Sequence, residues 1–167
     1  MTDETPLYAY IEIPKGSRNK YEFDPQLGQI VLDRTLWTSV VYPADYGFLV
    51  DTLGRDGDPV DAVVLVAEPT FPGCVIPVEP IGVFEMSDEK GEDHKVLCVP
   101  FKDPEWSGMH DITDVRPALL DEIAHFFDVY KDIEHPGAVE VTGWHNRAYA
   151  DQVLGEARTA FASNEEF

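Results

Sequence analysis

The hexapeptide Asp56-Gly57-Asp58-Pro59-Val60-Asp61 places three carboxylates at i, i+2 and i+5 on a segment that Gly57 and Pro59 turn. Carboxylates crowded in this way repel one another unless a cation lies between them, and hard oxygen ligands suit Mg²⁺ or Mn²⁺ better than Zn²⁺. A calcium-loop reading fails. An EF-hand counted from Asp56 wants an oxygen ligand at its fifth position, Gly at the sixth and Glu at the twelfth, where this chain has Val60, Asp61 and Ala67. An acidic turn remains the second reading, because Asp-Gly and Asp-Pro are common turn formers. The stretch Asp88-Glu89-Lys90-Gly91-Glu92-Asp93-His94-Lys95 lies between two predicted strands and has the same two readings, a metal-binding loop or a solvated charged turn.

The scarce basic residues add the opposite sign. Lys20 and Glu22 stand two apart in a predicted strand and so share a face. Arg34 follows the next strand, and Tyr130-Lys131 closes a predicted helix. Lys, Arg and Tyr beside carboxylates fit an anionic, metal-chelating ligand such as a phosphate. Taken singly, Lys20 with Glu22 is also an ordinary surface pair, and Lys131 also complements a helix C-terminus. The chain has no Walker A loop, GxGxxG, GxSxG or HExxH. His94, His110, His125, His135 and His145 show no zinc-ligand spacing, and His125 inside a helix reads as a packed or interface residue.

The elements that must position these residues are mostly β in the first two thirds. Leu7 to Ile13 reads as a strand, and Lys20–Phe23 with Gln29–Leu32 reads as a hairpin around Asp24-Pro25-Gln26-Leu27-Gly28. Asp61 to Val66, Val75 to Met86 and Val96 to Val99 are further strands, with Pro77 and Pro80 marking an edge or a bend. Short strands at these spacings predict a small barrel or sandwich. A helix starts at Pro117 and carries the stripe Leu119, Ile123, Phe126, Phe127, Tyr130. His135-Pro136-Gly137 breaks it, Val139 to Val141 reads as one more strand, and a second helix runs from an Asn146 cap through Tyr149, Val153, Ala157 and Phe161. No repeat or linker interrupts the chain, so residues 1–167 are expected to form one domain.

The 167 residues carry 32 acids against 12 Lys and Arg, a formal charge of −20. That balance repels nucleic acid and anionic lipid, which recruit basic patches, and it argues against an oligonucleotide-binding OB module. Most of the acid excess reads as solubility or as adaptation to a salty cytoplasm. Cys74 and Cys98 sit in apolar settings without a CxxC pair, which predicts two reduced, buried thiols and a cytoplasmic setting. Met1-Thr2-Asp3-Glu4 has neither the basic nor the apolar region of a secretory signal, and no apolar run reaches membrane-spanning length.

Together the blocks resemble a known family. Ile11-Glu12-Ile13-Pro14, Lys20-Tyr21-Glu22, Val31-Leu32-Asp33-Arg34 and Tyr42-Pro43-Ala44-Asp45-Tyr46-Gly47 precede the hexapeptide, and Asp88-Glu89, Asp93, Lys95, His125-Phe126-Phe127 and Tyr130-Lys131-Asp132 follow it. In this order the chain resembles the family I (soluble) inorganic pyrophosphatases of the short bacterial type, almost end to end. The resemblance implies an α+β fold: an OB-like five-stranded antiparallel β-barrel with two C-terminal helices packed on it. It implies hydrolysis of pyrophosphate to two orthophosphates by a metal-activated water, with several Mg²⁺ ions and with Mn²⁺ or Zn²⁺ as substitutes. Asp56, Asp61 and Asp93 look like ligands of the tightest metal, Asp88 and Asp93 like ligands of ions arriving with substrate, and Glu12 and Glu22 like members of the outer metal network. Asp58 matches the general base. Lys20, Arg34, Tyr130 and Lys131 match phosphate contacts, with Tyr42, Tyr46 and Lys95 supporting them. A homohexamer with the His125 helix at a contact is also implied. Gly137 and Glu140 depart from the pattern, standing where the family often has lysines.

Overall fold

A computed structural model describes residues 6–164. The N-terminal segment Met1–Glu4 lies outside the described residues. Eight strands and two α-helices follow in the order β1(Leu7–Ile13), β2(Asn19–Asp24), β3(Gln29–Thr35), β4(Asp45–Leu49), β5(Asp61–Val64), β6(Val75–Asp88), β7(Gly91–Pro100), α1(Pro117–Val129), β8(Glu140–His145), α2(Arg147–Asn164).

The large sheet runs β1-β4-β5-β7-β6-β8, and an additional β1–β6 pairing closes its first five strands into a ring. This is the OB-like barrel the resemblance implies, with one difference: β5 and β7 pair in parallel, while the other four pairings of the ring are antiparallel. β6 makes closure geometrically feasible. Its first half, Val75–Val78, pairs with β1, and its second half, Val83–Ser87, pairs with β8. A register shift between Pro80 and Gly82 lies between the two halves, so the prolines mark a bend within a long strand.

Strand alternation sorts the apolar side chains into two cores. Ala9, Ile11, Leu49, Ala62, Val64, Val83, Val96 and Cys98, drawn from every strand of the ring, pack with Ala150, Leu154 and Ala157 of α2. The intervening residues Val63, Leu65, Phe84, Leu97 and Val99 pack under Ile123, Phe126 and Phe127 of α1. Both faces of β5 and β7 are therefore apolar in mid-strand, which is why they read as continuous hydrophobic runs. α1 begins with Pro117 in its first turn as expected, and the Asn146 side chain caps α2 by accepting from the Tyr149 N–H at 3.0 Å.

Four expectations need correction. β4 was not foreseen in Pro43-Ala44-Asp45-Tyr46-Gly47, a run of turn formers. The reason lies in tertiary packing: a Cβ at Gly47 would stand 1.8 Å from the Tyr10 carbonyl oxygen of β1, so only glycine lets these strands approach. The acidic stretch 88–95 is mostly strand, with β6 and β7 joined by a tight turn at Glu89-Lys90. Cys98 is buried, but Cys74 is only partly so, and both are free. His125 is exposed on α1, which removes the packed reading and leaves the interface one. Gly47→Ala should destabilise the protein by at least about 1–3 kcal/mol through overpacking, read as a lowered midpoint in urea unfolding; an unchanged midpoint would contradict the close β1–β4 approach.

Candidate active site

β5 and β7 lie side by side with Asp61 opposite Lys95. The Lys95 side chain is 2% exposed, with its Nζ 3.0 Å from Asp61 Oδ2 and 3.0 Å from Asp93 Oδ2. Lys95 Nζ also donates to Tyr46 Oη at 2.6 Å, and Tyr46 Oη donates to Asp61 Oδ2 at 2.9 Å. The rings of Tyr46 and Phe127 each lie 4.9 Å from the same nitrogen, close enough for cation–π attraction. Burial works against the charged ammonium, but Asp61, Tyr46 and Asp93 hold its pKa well above the ordinary lysine value. Asp93 is also penalised by burial, yet the Lys95 charge and hydrogen bond bring it below the usual carboxylate range. For Asp61 burial wins over Lys95, and its pKa is raised.

Around this buried centre lies a cavity of about 580 Å³. It is bordered by the carboxylates Glu12, Glu22, Asp56, Asp58, Asp61, Asp88 and Asp93 and by Lys20, Lys95, Tyr46, Tyr130 and Lys131. Asp56 and Asp58 sit exposed on one turn: Asp56 Oδ1 accepts the Asp58 N–H at 3.1 Å, and Gly57 holds φ +87°, a conformation glycine adopts without strain. The acidic-turn reading of the hexapeptide therefore holds, and the turn places Asp56 and Asp58 at the cavity beside Asp61. Asp88 ends β6, and its Oδ2 lies 3.9 Å from Lys131 Nζ. Lys131 follows Tyr130, whose buried ring stacks on Phe126 at 5.3 Å.

Glu12 on β1 accepts the Phe23 N–H at 2.8 Å, which ties the β2–β3 hairpin to the barrel wall. Burial, reinforced by Asp61 and Glu22, pushes its carboxyl up to about 7 despite that hydrogen bond. Glu12 and Asp61, crowded and buried, are unfavourable as bare anions. A divalent cation relieves both problems, and with Glu92 the lining holds eight carboxylates without sulfur or imidazole, a donor set for a hard ion such as Mg²⁺.

Arg34 departs from the expected set. Its guanidinium takes Glu134 in a two-pronged contact, at 2.9 and 2.8 Å, and pairs with Asp33, and it does not border the cavity. Lys20, opposite Arg34 in the hairpin, pairs with Glu22 and lies 3.6 Å from Asp33. Glu134 carried no signal in the sequence, being 100 residues from Arg34. Glu92 and Lys90 also border the cavity, although in the sequence they stand out only as part of a charged stretch. Tyr42 is buried against Tyr46 and Phe126, a wall of the site rather than part of its lining. Gly137 adopts φ +73°, and Glu140 opens β8 at an exposed position; neither borders the cavity.

A closed OB-like barrel bearing a cavity of alternating charge defines a class: a barrel protein with a site for a compact, metal-chelating anion. The model of the family described as inorganic pyrophosphatase matches residues 9–162. The inorganic pyrophosphatase of Methanosarcina mazei is 51% identical over 161 residues, 96% of this chain and 95% of its own length. That of Streptomyces coelicolor is 55% identical over 151 residues, 90% and 93% of the two chains. Among solved structures, the Thermus thermophilus enzyme superposes with a TM-score of 0.92 at 41% identity, covering 97% of this chain and 95% of that one. This chain belongs to the inorganic pyrophosphatase family.

Lys95→Met should leave Asp61 and Asp93 beside each other without their counter-charge. Breaking a buried ion pair from one side costs about 3–5 kcal/mol, so urea unfolding in the presence of a chelator should show a loss of that order. A loss below about 1 kcal/mol would mean that the acids relax apart and that Lys95 does not hold the centre together.

Proposed function

We propose that the chain hydrolyses inorganic pyrophosphate to two orthophosphates, with Mg²⁺ ions held by Asp56, Asp61, Asp88 and Asp93 and with Glu12 and Glu22 in the surrounding network. The observation that carries this reading is the single cavity in which these carboxylates face Lys20, Tyr130 and Lys131. A ligand that satisfies both signs at once is a polyanion that arrives with cations. When bound, the cations neutralise charge on the phosphates and activate a water for attack, and Mn²⁺ or Zn²⁺ serve as substitutes.

The chain's own residues do the rest. Asp58, exposed on its turn at the cavity margin, accepts the proton of the attacking water. One P–O bond to the bridging oxygen breaks, and Lys20, Tyr130 and Lys131 hold the phosphate oxygens on which charge accumulates. Arg34, across the hairpin from Lys20, is a further phosphate contact, which it would make by leaving Glu134. Tyr46 and Lys95 position Asp61 and Asp93 from beneath.

The matched span of residues 9–162 supports one domain. The free Cys74 and Cys98 suit a reducing, cytoplasmic setting, and among the described residues no helix is long and apolar enough to cross a membrane. The assembly is proposed as a homohexamer with α1, around the exposed His125, at a contact.

With Mg²⁺, purified protein is expected to release phosphate from pyrophosphate and to do so poorly from ATP; release no faster than in the metal-only control would reject the enzyme. Asp58→Asn should keep metal binding and lower turnover by about 10²–10⁴, and unchanged turnover would remove Asp58 from the proton-accepting role. Sedimentation velocity should give six times the chain mass of 18.7 kDa; a monomer would reject the hexamer.

A further inference from the structure

The face of β7 turned away from Asp93 and Lys95 carries a second set of ligand-bearing side chains. Glu85 of β6 lies opposite His94 of β7, and two residues earlier Glu92 lies opposite Ser87. Strand alternation puts Glu92 and His94 on the same side as Val96, toward the core that α2 closes. One ligand atom from each of Glu85, Glu92 and His94 lies within 4.8 Å of the others.

His94 supplies the independent sign of a ligand. Among the described residues its Nε2 is the one buried side-chain nitrogen or oxygen without a hydrogen-bond partner. It lies 3.5 Å from Glu85 Oε1, an ion pair only when the imidazole is protonated, in a side chain 19% exposed. The other oxygen of Glu85 is held at 2.6 Å by His145 Nε2, and the His145 ring stacks on Tyr149 at 4.4 Å. Glu85 is therefore oriented from behind, with its free oxygen facing the unpartnered imidazole, an arrangement that commonly accompanies metal-ligating groups. An unpaired buried nitrogen calls for an explanation, and an ion between His94 and Glu85 provides one.

We propose that Glu85, Glu92 and His94 form a binding site for a borderline divalent transition-metal ion of the Zn²⁺ or Co²⁺ class, with water completing four-fold coordination. Imidazole plus carboxylate favours such ions over Mg²⁺, which keeps to oxygen donors. Glu92 is the outermost member: its side chain is 59% exposed and lies 3.9 Å from Arg55. None of Asp56, Asp61, Asp88 or Asp93 belongs to this site. Glu92 nevertheless borders the catalytic cavity, so the two sites share a wall.

The test uses the full chain in excess Mg²⁺, which competes for the carboxylate site, and titrates Co²⁺ into wild type and variants side by side while recording its visible absorption and its stoichiometry by equilibrium dialysis. Wild-type protein should take up one equivalent of Co²⁺ with a four-coordinate spectrum beyond any bound at the carboxylate site, and Zn²⁺ should displace it. His94→Asn and the near-isosteric Glu85→Gln, each shown to be folded by circular dichroism, should each lose that equivalent. Binding unchanged in both variants, or Co²⁺ uptake by wild type that excess Mg²⁺ abolishes, would overturn the proposal. Because binding is read directly, a failure of pyrophosphate hydrolysis would leave this result interpretable.

Discussion

The Lys95 ammonium is the constraint around which the rest is organised. Asp61, Asp93 and Tyr46 converge on it, and Phe127 lies alongside. Removing an ammonium from water costs several kcal/mol, and only well-placed partners offset it. Those partners come from three strands, and Phe127 comes from a helix, so the centre exists only when β4, β5, β7 and α1 are all in place. The interaction works in both directions. The carboxylates keep Lys95 charged, and Lys95 lets the two carboxylates stay close to each other.

Barrel closure supplies the geometry. β5 and β7 are the parallel pair, and their register sets Asp61 against Lys95. A one-residue slip would turn Asp93 and Lys95 to the other face and bring His94 into the site. The apolar residues that follow, Leu97 and Val99 on one face and Val96 and Cys98 on the other, hold that register by burial on both sides. The same alternation gives β7 two chemical faces, carboxylate with ammonium toward α1 and carboxylate with imidazole toward α2.

Charge division explains the economy of the site. With 32 acids and 12 basic side chains, this chain has few cations to spend on a surface, and three of its lysines border one cavity with Lys95 beneath them. Such a cavity does not suit a nucleic-acid backbone, which needs an extended basic track, but it suits a compact anion whose excess charge is carried by metal ions. Arg34 adds a restraint, since its two-pronged contact with Glu134 anchors the hairpin to the segment after α1 and so helps to shape the opening.

Much of this was legible in the residues. β1, the hairpin, Pro117 at the start of α1 and the Asn146 cap follow from alternation, turn chemistry and capping, all local effects within a few residues. The acidic hexapeptide likewise announced a turn carrying three carboxylates. Other features depend on residues distant in sequence. Gly47 is a strand residue only because Tyr10 approaches it, Glu134 matters only because the fold brings it to Arg34, and His94 lacks a partner only because β6, β8 and α2 shut its nitrogen from water. The sequence by itself determined the donor types, their local spacing and the sign of the charge, because those are properties of neighbours along the chain. Which carboxylates share a cavity, which lysine lies beneath them and which histidine stands apart were decided by tertiary structure alone, because register and ring closure set distances between strands that local chemistry does not reach.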